Sequence, residues 1–235
     1  MTAGLNGGRR ELGRVMATVF YLVRHGETDW NRQGRWQAQL DVPLNEAGRR
    51  QATALGVLAA RFPLAALYSS DLARAMETAR LIAAAFNPGP PPLYPEPRLR
   101  ELNAGVLAGY TLEELRVLYP EWWEADRRDP VSTRCPGGET FQEMRARVKE
   151  ALDDIASRHP DRAVGVVTHG GPIRAVVFEV LGLTDRRMDA FAVDNGSLTV
   201  VRWSERPCLL ALNVGPRWVG WAHDGAAGGT DLDAG

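Results

Sequence analysis

Cysteine is scarce in this 235-residue chain: only Cys135 and Cys208 are present, at no metal-binding spacing and too few for a disulfide framework. That scarcity points to a reducing compartment, so a cytoplasmic protein is expected. Long hydrophobic runs are missing as well; none approaches the ~20 residues that span a bilayer. Nor is there an excess of charge of one sign, since 28 Lys and Arg stand against 29 Asp and Glu. A near-neutral, well-mixed pattern excludes a nucleic-acid-binding surface and an acidic tail, so neither nucleic acid nor membrane is expected as a partner. Arg9, Arg10 and Arg14 lie early in the chain, but no uninterrupted apolar stretch follows them, which argues against a secretory signal. No internal repeat is visible.

What is present is enough length for one domain with a continuous core. We expect a flexible extension over residues 1–17, a single domain over 18–221 and a disordered tail, mostly Gly, Ala and Asp, over 222–235. Val19 to Val23 is a short β-branched, aromatic and aliphatic run that reads as a buried strand, and Arg24-His25-Gly26 follows it at once. Residues 34–44 read as an irregular loop ending at Asn45, a good N-cap for a helix over 46–61. A second strand over 66–70 runs into Asp71 and an Ala-rich helix reaching about Phe86, with Arg74 in its first turn. Residues 87–97 hold six prolines and read as an extended connection.

Thr111 with Glu114 and Thr140 with Glu143 fit capping boxes, so helices are expected to begin there. The piece between them, within an insertion over about 105–139 that contains Trp122 and Trp123, is a candidate lid. An amphipathic helix over 141–159 stops at Pro160, a third apolar strand covers 163–168, and His169-Gly170-Gly171-Pro172 opens a helix to about Gly182. Residues 197–203 and 209–214 alternate as an antiparallel hairpin at a sheet edge. Together these elements predict an α/β fold: a three-layer sandwich with a mostly parallel central sheet flanked by helices, an antiparallel edge and the lid insertion.

Three of the apolar strands end in similar polar punctuation: Arg24-His25-Gly26, Ser69-Ser70-Asp71 before Arg74, and His169-Gly170-Gly171. In a parallel sheet those ends share one edge, where ligands bind. Two arginines and two histidines then converge, with helix N-termini nearby, and such a site suits a dianion. Guanidinium forks match phosphoryl oxygens two at a time, and helix N-termini favour negative charge. A metal fits worse, because Arg24 and Arg74 repel a cation and no carboxylate or cysteine lies at ligand spacing. A histidine among arginines is instead held neutral and free to act as a nucleophile. Taken singly, His25 could be a capped strand end and His169 a satisfied core histidine; His159 and His223 read as exposed and without role, and Arg127-Arg128 as a solvated face.

Arg24-His25-Gly26-Glu27-Thr28 with Asn31, Leu44-Asn45-Glu46-Ala47-Gly48, Tyr68-Ser69-Ser70-Asp71-Leu72 with Arg74, Glu101, Pro136-Gly137-Gly138-Glu139 and Thr168-His169-Gly170-Gly171 occur in that order. The ordered set resembles the histidine phosphatase superfamily, and within it the phosphoglycerate mutase-like branch, from about Val19 to Leu198. The resemblance implies a metal-independent, cofactor-free phosphomonoesterase acting on a small phosphorylated metabolite through a phosphohistidine. It implies that His25 attacks phosphorus, that Arg24, Arg74 and His169 hold the phosphoryl oxygens, and that Glu101 is acid and base. Asn31, Gln37 and the Gly170 N–H are the implied further phosphate contacts. Glu113, Glu114 and Glu139 are the other carboxylates in reach of the acid-base role.

Where the mutases place Arg-His-Tyr-Gly after that Glu, this chain has Leu102-Asn103-Ala104-Gly105, and Leu102 cannot bind a carboxylate. The resemblance therefore favours a phosphatase over a phosphoglycerate mutase, the alternative, and the presence of both His25 and His169 favours it over a non-catalytic phospho-ligand binding module. The family's Gln-Gly is Gln37-Ala38 here, and its Asp-Phe-Gly-x-Trp-Glu-Gly is Asn103 to Gly109, without the Trp and second Glu. A homodimer stays open as the assembly.

Overall fold

Strand β1 (Thr18–Arg24) lies inside the sheet, with Phe20 and Leu22 almost wholly buried, as its apolar run requires. The computed structural model describes residues 17–183 and 190–215; the expectations for 1–16 and for 222–235, including His223, fall outside them. After β1 come a single helical turn α1 (Asp29–Arg32), α2 (Glu46–Ala59), β2 (Leu64–Ser69) and α3 (Ala73–Ala83). Strand β3 (Leu93–Pro95) follows, then α4 (Leu112–Leu118), α5 (Pro120–Arg128) and α6 (Phe141–Arg158). The described fold closes with β4 (Ala163–Thr168), α7 (Gly170–Leu181), β5 (Leu198–Trp203) and β6 (Cys208–Val214). The six strands run in the order β3-β2-β4-β1-β5-β6. The first four are mutually parallel, and β5 and β6 add the antiparallel edge.

Helices cover both faces of this sheet. Leu55 of α2 with Ala75, Ala79 and Ile82 of α3 pack on one face, against Val23, Leu67 and Val167. Met144, Val148, Leu152 and Ile155 of α6, with Ile173, Val176 and Phe178 of α7, pack on the other, against Phe20, Leu22 and Val166. The i, i+4, i+8 and i+11 spacing in α6 is the apolar stripe that the sequence pattern anticipates. Thr28, Thr111 and Thr140 each form a reciprocal capping box, and Asn45 caps α2 through Gly48 N–H.

Three local expectations change. The proline-rich connection contains β3, which pairs with β2 at the sheet edge, where prolines cost no ladder bond on the open side. The helix expected from Asp71 starts at Ala73, because the Asp71 carboxylate is a partner of Arg100 (2.5 and 2.6 Å) and caps no helix. Residues after Ala83 tighten into i→i−3 turns, Ala85 N–H to Ile82 O and Phe86 N–H to Ala83 O, so the helix stops short of Phe86.

The insertion over 105–139 has a small core of its own, in which Leu107, Leu115, Trp122 and Cys135 pack with Ala38 and Ala104. It is tied to the first loop by Trp36 N–H to Tyr110 O (2.9 Å) and Gly109 N–H to Trp36 O (2.7 Å). Arg35 strengthens the tie by donating to Gly109 O and to both oxygens of Glu114. Trp122 is buried edge-on to Trp36, so it packs the lid. Among the described residues no helix is long and apolar enough to cross a membrane.

Candidate active site

The parallel register places the three polar strand ends side by side. Arg24 pairs with Thr168, and Ser69 with Val167, so His25, Ser70 and His169 emerge together at the carboxyl edge. His25 N–H donates to Thr168 O (3.0 Å), and Ser70 N–H to Val167 O (2.9 Å), extending the ladder one residue beyond the strands. The two imidazoles come within 5.1 Å, centroid to centroid. Gly26 is needed beside them because a β-carbon there would overlap the backbone of Gly48.

His25 Nδ1 lies 2.7 Å from Gly26 O. A carbonyl only accepts, so the proton sits on Nδ1 and Nε2 carries the lone pair. Arg74 Nε–H donates to that lone pair at 3.3 Å. Burial first, then the charges of Arg74 and Arg24, push the His25 pKa well below 6.5. The ring is therefore neutral at pH 7, with its nucleophilic nitrogen facing guanidinium. Asn195 Nδ2 fixes the backbone behind it, donating to His25 O (3.1 Å).

Arg74 is 1 % exposed, and its two terminal nitrogens donate to Ala38 O (2.7 Å) and Leu40 O (2.8 Å). Ala38 holds a left-handed φ of 47°, a conformation that usually goes to glycine. Arg24 donates Nη1–H to Val193 O (2.6 Å), while its Nε is buried and has no partner. Burial lowers both guanidinium pKa values to about 10. Among the described residues neither arginine has a carboxylate ion-pair partner. Arg74 is buried and Arg24 half-buried with its Nε out of water, and the Glu101 carboxylate lies near enough to act on both, so two guanidiniums share one nearby acid and leave room for an anion.

His169 Nε2 contacts Ser70 Oγ (2.8 Å), leaving Nδ1 as a buried atom with no partner. Burial and then Arg74 and His25 hold its pKa well below 6.5. Asn31 lines the same cavity; its Oδ1 is taken by Thr28 N–H and Asn195, which leaves Nδ2 to donate. Gln37 also lines it, 7 % exposed, with Oε1 unpartnered. Gly170 is the first residue of α7, where helix N–H groups lack intrahelical acceptors.

Of the four candidate carboxylates, Glu101 is the one that lines the cavity. Its oxygens accept Leu102 N–H (2.8 Å) and Gly171 N–H (3.2 Å), and a β-carbon at Gly171 would push the Glu101 carboxylate from this position. Glu113 is exposed, Glu114 belongs to Arg35, and Glu139 belongs to Arg147. Arg147 gathers the whole loop: it donates to Arg98 O (2.7 Å), Arg100 O (2.7 Å) and Glu101 O (2.9 Å) and is bidentate to Glu139. Glu139 in turn accepts Asn103 N–H at 2.8 Å. The cavity itself is about 440 Å³ and is lined also by Trp36, Leu102, Phe141 and Met144.

Sequence reasoning brought Arg24, His25, Arg74, Glu101 and His169 together, with Asn31 and Gln37 beside them. It missed Ser70 as the partner of His169, although Ser70 stands at one of the three strand ends. It also missed Arg147, which looks like any charged residue on an amphipathic helix. His159 is not roleless: half-buried, it meets Tyr68 Oη at 3.0 Å, far from the cavity lining. Arg127 and Arg128 are exposed, as a solvated face requires. Among the described residues no group of three or more His, Cys, Asp or Glu is placed to hold a metal.

Comparison with known proteins gives the family. Residues 20–214 match the model of the histidine phosphatase superfamily (branch 1). The metal-independent phosphoserine phosphatase of Arabidopsis thaliana is 39% identical over 196 residues, covering 82% of this chain and 79% of that protein. A probable phosphoglycerate mutase, GpmB of Yersinia pestis, is 33% identical over 213 residues, 91% of this chain and 94% of that one. Among solved structures, Bacillus stearothermophilus YhfR superposes with a TM-score of 0.76 at 30% identity, covering 84% of this chain and 97% of that one.

Proposed function

We propose, from the premise that the chain belongs to branch 1 of the histidine phosphatase superfamily, a phosphomonoesterase in which His25 is the nucleophile and Glu101 the acid and base. The observation that carries this reading is a neutral imidazole lone pair facing the buried Arg74, with the buried Arg24 Nε and His169 Nδ1 left without partners beside it. A phosphomonoester dianion supplies an acceptor for each of them. Arg24 Nε, Arg74 and His169 Nδ1 hold its non-bridging oxygens, and Asn31 Nδ2, Gln37 and the Gly170 N–H complete the cradle.

His25 Nε2 gives its lone pair to phosphorus as the ester P–O bond breaks, and Glu101, in its acid form, protonates the departing alkoxide. The product alcohol leaves, and phosphorus stays on His25. Glu101, now a carboxylate, takes a proton from water while the water oxygen attacks phosphorus and the P–N bond breaks. Inorganic phosphate forms, and both residues return to their starting state. The arginines carry the charge that a metal carries in other phosphoryl-transfer enzymes, so the reaction proceeds without one. Two free cysteines support a cytoplasmic setting.

Leu102 lines the cavity next to Glu101 and offers an apolar wall where a mutase needs a second anion site, which favours water as the acceptor. Phosphate release from p-nitrophenyl phosphate and a metabolite panel that includes O-phosphoserine, with EDTA present, tests the assignment. Wild type is expected to be active, and His25→Ala to lose at least about a thousandfold, the scale set by removal of a nucleophile. Activity that survives the substitution would sink the phosphohistidine route. Isomerisation of 3-phosphoglycerate primed by 2,3-bisphosphoglycerate, faster than hydrolysis, would make the protein a mutase.

A further inference from the structure

The cavity is also lined by the apolar Trp36, Leu102, Phe141 and Met144 and by two further cations: Arg35, paired with Glu114, and Arg174, whose charge acts on Arg24. Asp126, on lid helix α5, lines it as well. The other carboxylates nearby are engaged: Glu101 by two backbone N–H groups, Glu114 by Arg35, Glu139 by Arg147. Asp126 is half-buried, and among the described residues no hydrogen bond or ion pair reaches its carboxylate. Burial raises its pKa, and no neighbouring cation offsets that rise. The carboxylate is half-buried and open to the cavity, so a ligand that fills the cavity takes water from it and must replace that hydration with a donor or a cation.

The chemistry of the missing partner follows from what the carboxylate lacks. An ionised Asp only accepts, and its charge is uncompensated. A substrate hydroxyl offers one hydrogen bond and leaves the carboxylate charge in place. An ammonium offers three donors and no acceptor, and it cancels the charge, adding ion-pair attraction to the hydrogen bond. The phosphoryl end accepts a dianion, so a ligand matched to the whole cavity is negative at one end and positive at the other.

We propose that Asp126 reads a protonated amine on the alcohol half of the substrate, and so selects amine-bearing phosphomonoesters over their hydroxyl counterparts. This rests on the phosphomonoesterase reading and adds a substrate class to it.

Two pairs of esters differ only in that group: O-phosphoserine against 3-phosphoglycerate, and phosphoethanolamine against ethylene glycol monophosphate. The second pair carries no carboxylate, so it isolates the amine. Phosphate release gives kcat/KM for each. Wild type is expected to favour the amine by at least about tenfold in both pairs, and Asp126→Asn to bring the ratios to within about threefold of one. Asp126→Glu, which keeps the charge, should restore part of the preference. The ratio within one protein cancels any general loss of active enzyme. Ratios near one in wild type, or a preference that survives Asp126→Asn, overturn the proposal and leave the phosphatase reading standing. If none of the four esters nor p-nitrophenyl phosphate is hydrolysed, the phosphatase reading itself has failed and the proposal falls with it.

Discussion

His25 and His169 show how single residues acquire chemistry from their surroundings. Each imidazole is kept neutral by burial and by guanidinium charge, so each has a folded-state pKa well below its ordinary 6.5. The sign of the linked stability follows. As pH falls through 6.5, the unfolded chain takes up two protons that the native fold refuses, so the native state loses stability on acidification. The slope approaches about 2.7 kcal/mol per pH unit for two such groups. Carboxylates with lowered pKa values, such as Asp71 and Glu96, start to lose their contribution only near their ordinary values of 3.8 and 4.5. In phosphate-free buffer the wild-type Tm should therefore fall between pH 6.5 and 5. The His25→Asn, His169→Asn double variant should be nearly flat in that window, with only the smaller share of His159 remaining. Parallel Tm curves for the two proteins would refute this account of the histidines.

At the scale of elements, the loop that carries Glu101 owes its shape to a helix that never touches the reacting atoms. Arg147 on α6 collects the carbonyls of Arg98, Arg100 and Glu101 and fixes Glu139 against Asn103. A lysine offers one compact ammonium and cannot reproduce a fork with five donors. If Arg147 positions Glu101 as the acid, Arg147→Lys harms esters whose alcohol needs a proton most. The expected loss in kcat is at least about tenfold for an alkyl phosphate and no more than about threefold for p-nitrophenyl phosphate, whose phenolate leaves with little help. Equal losses on both substrates would assign Arg147 to general stability instead. Such a role has no sequence signature. Capping boxes, apolar periodicity and strand-end punctuation are local, so Thr111, Thr140, His25 and His169 announced themselves. Arg147, Ser70 and Asp126 gain meaning only from neighbours 46, 99 and more residues away or from the cavity they face. The strand at Leu93–Pro95 was hidden for a related reason: proline content argues against pairing, and only its edge position permits it.

For the molecule as a whole, the three-layer plan was legible because parallel strands need helices on both faces, and apolar runs alternating with amphipathic ones specify that arrangement. The plan also gathers the polar strand ends at one edge, so the sheet that supplies the hydrophobic core concentrates positive charge at that edge. Arg74 is buried and Arg24 half-buried there because the rest of the fold stabilises them, and an anion that pairs with both should return stability to the entire domain. A ligand at a hundred times its Kd adds about 2.7 kcal/mol to a protein that binds it only when folded. For a domain of this size each kcal/mol moves Tm by about 2–4 °C, so saturating inorganic phosphate should raise Tm by about 5–10 °C. Arg74→Met should lose most of that rise, since a neutral side chain removes the charge that the phosphate neutralises, while EDTA should leave the rise unchanged. Calorimetric scans of both proteins with sodium phosphate and with sodium chloride at matched ionic strength separate site binding from screening. An equal rise in the two salts would show that the two arginines are not an anion site.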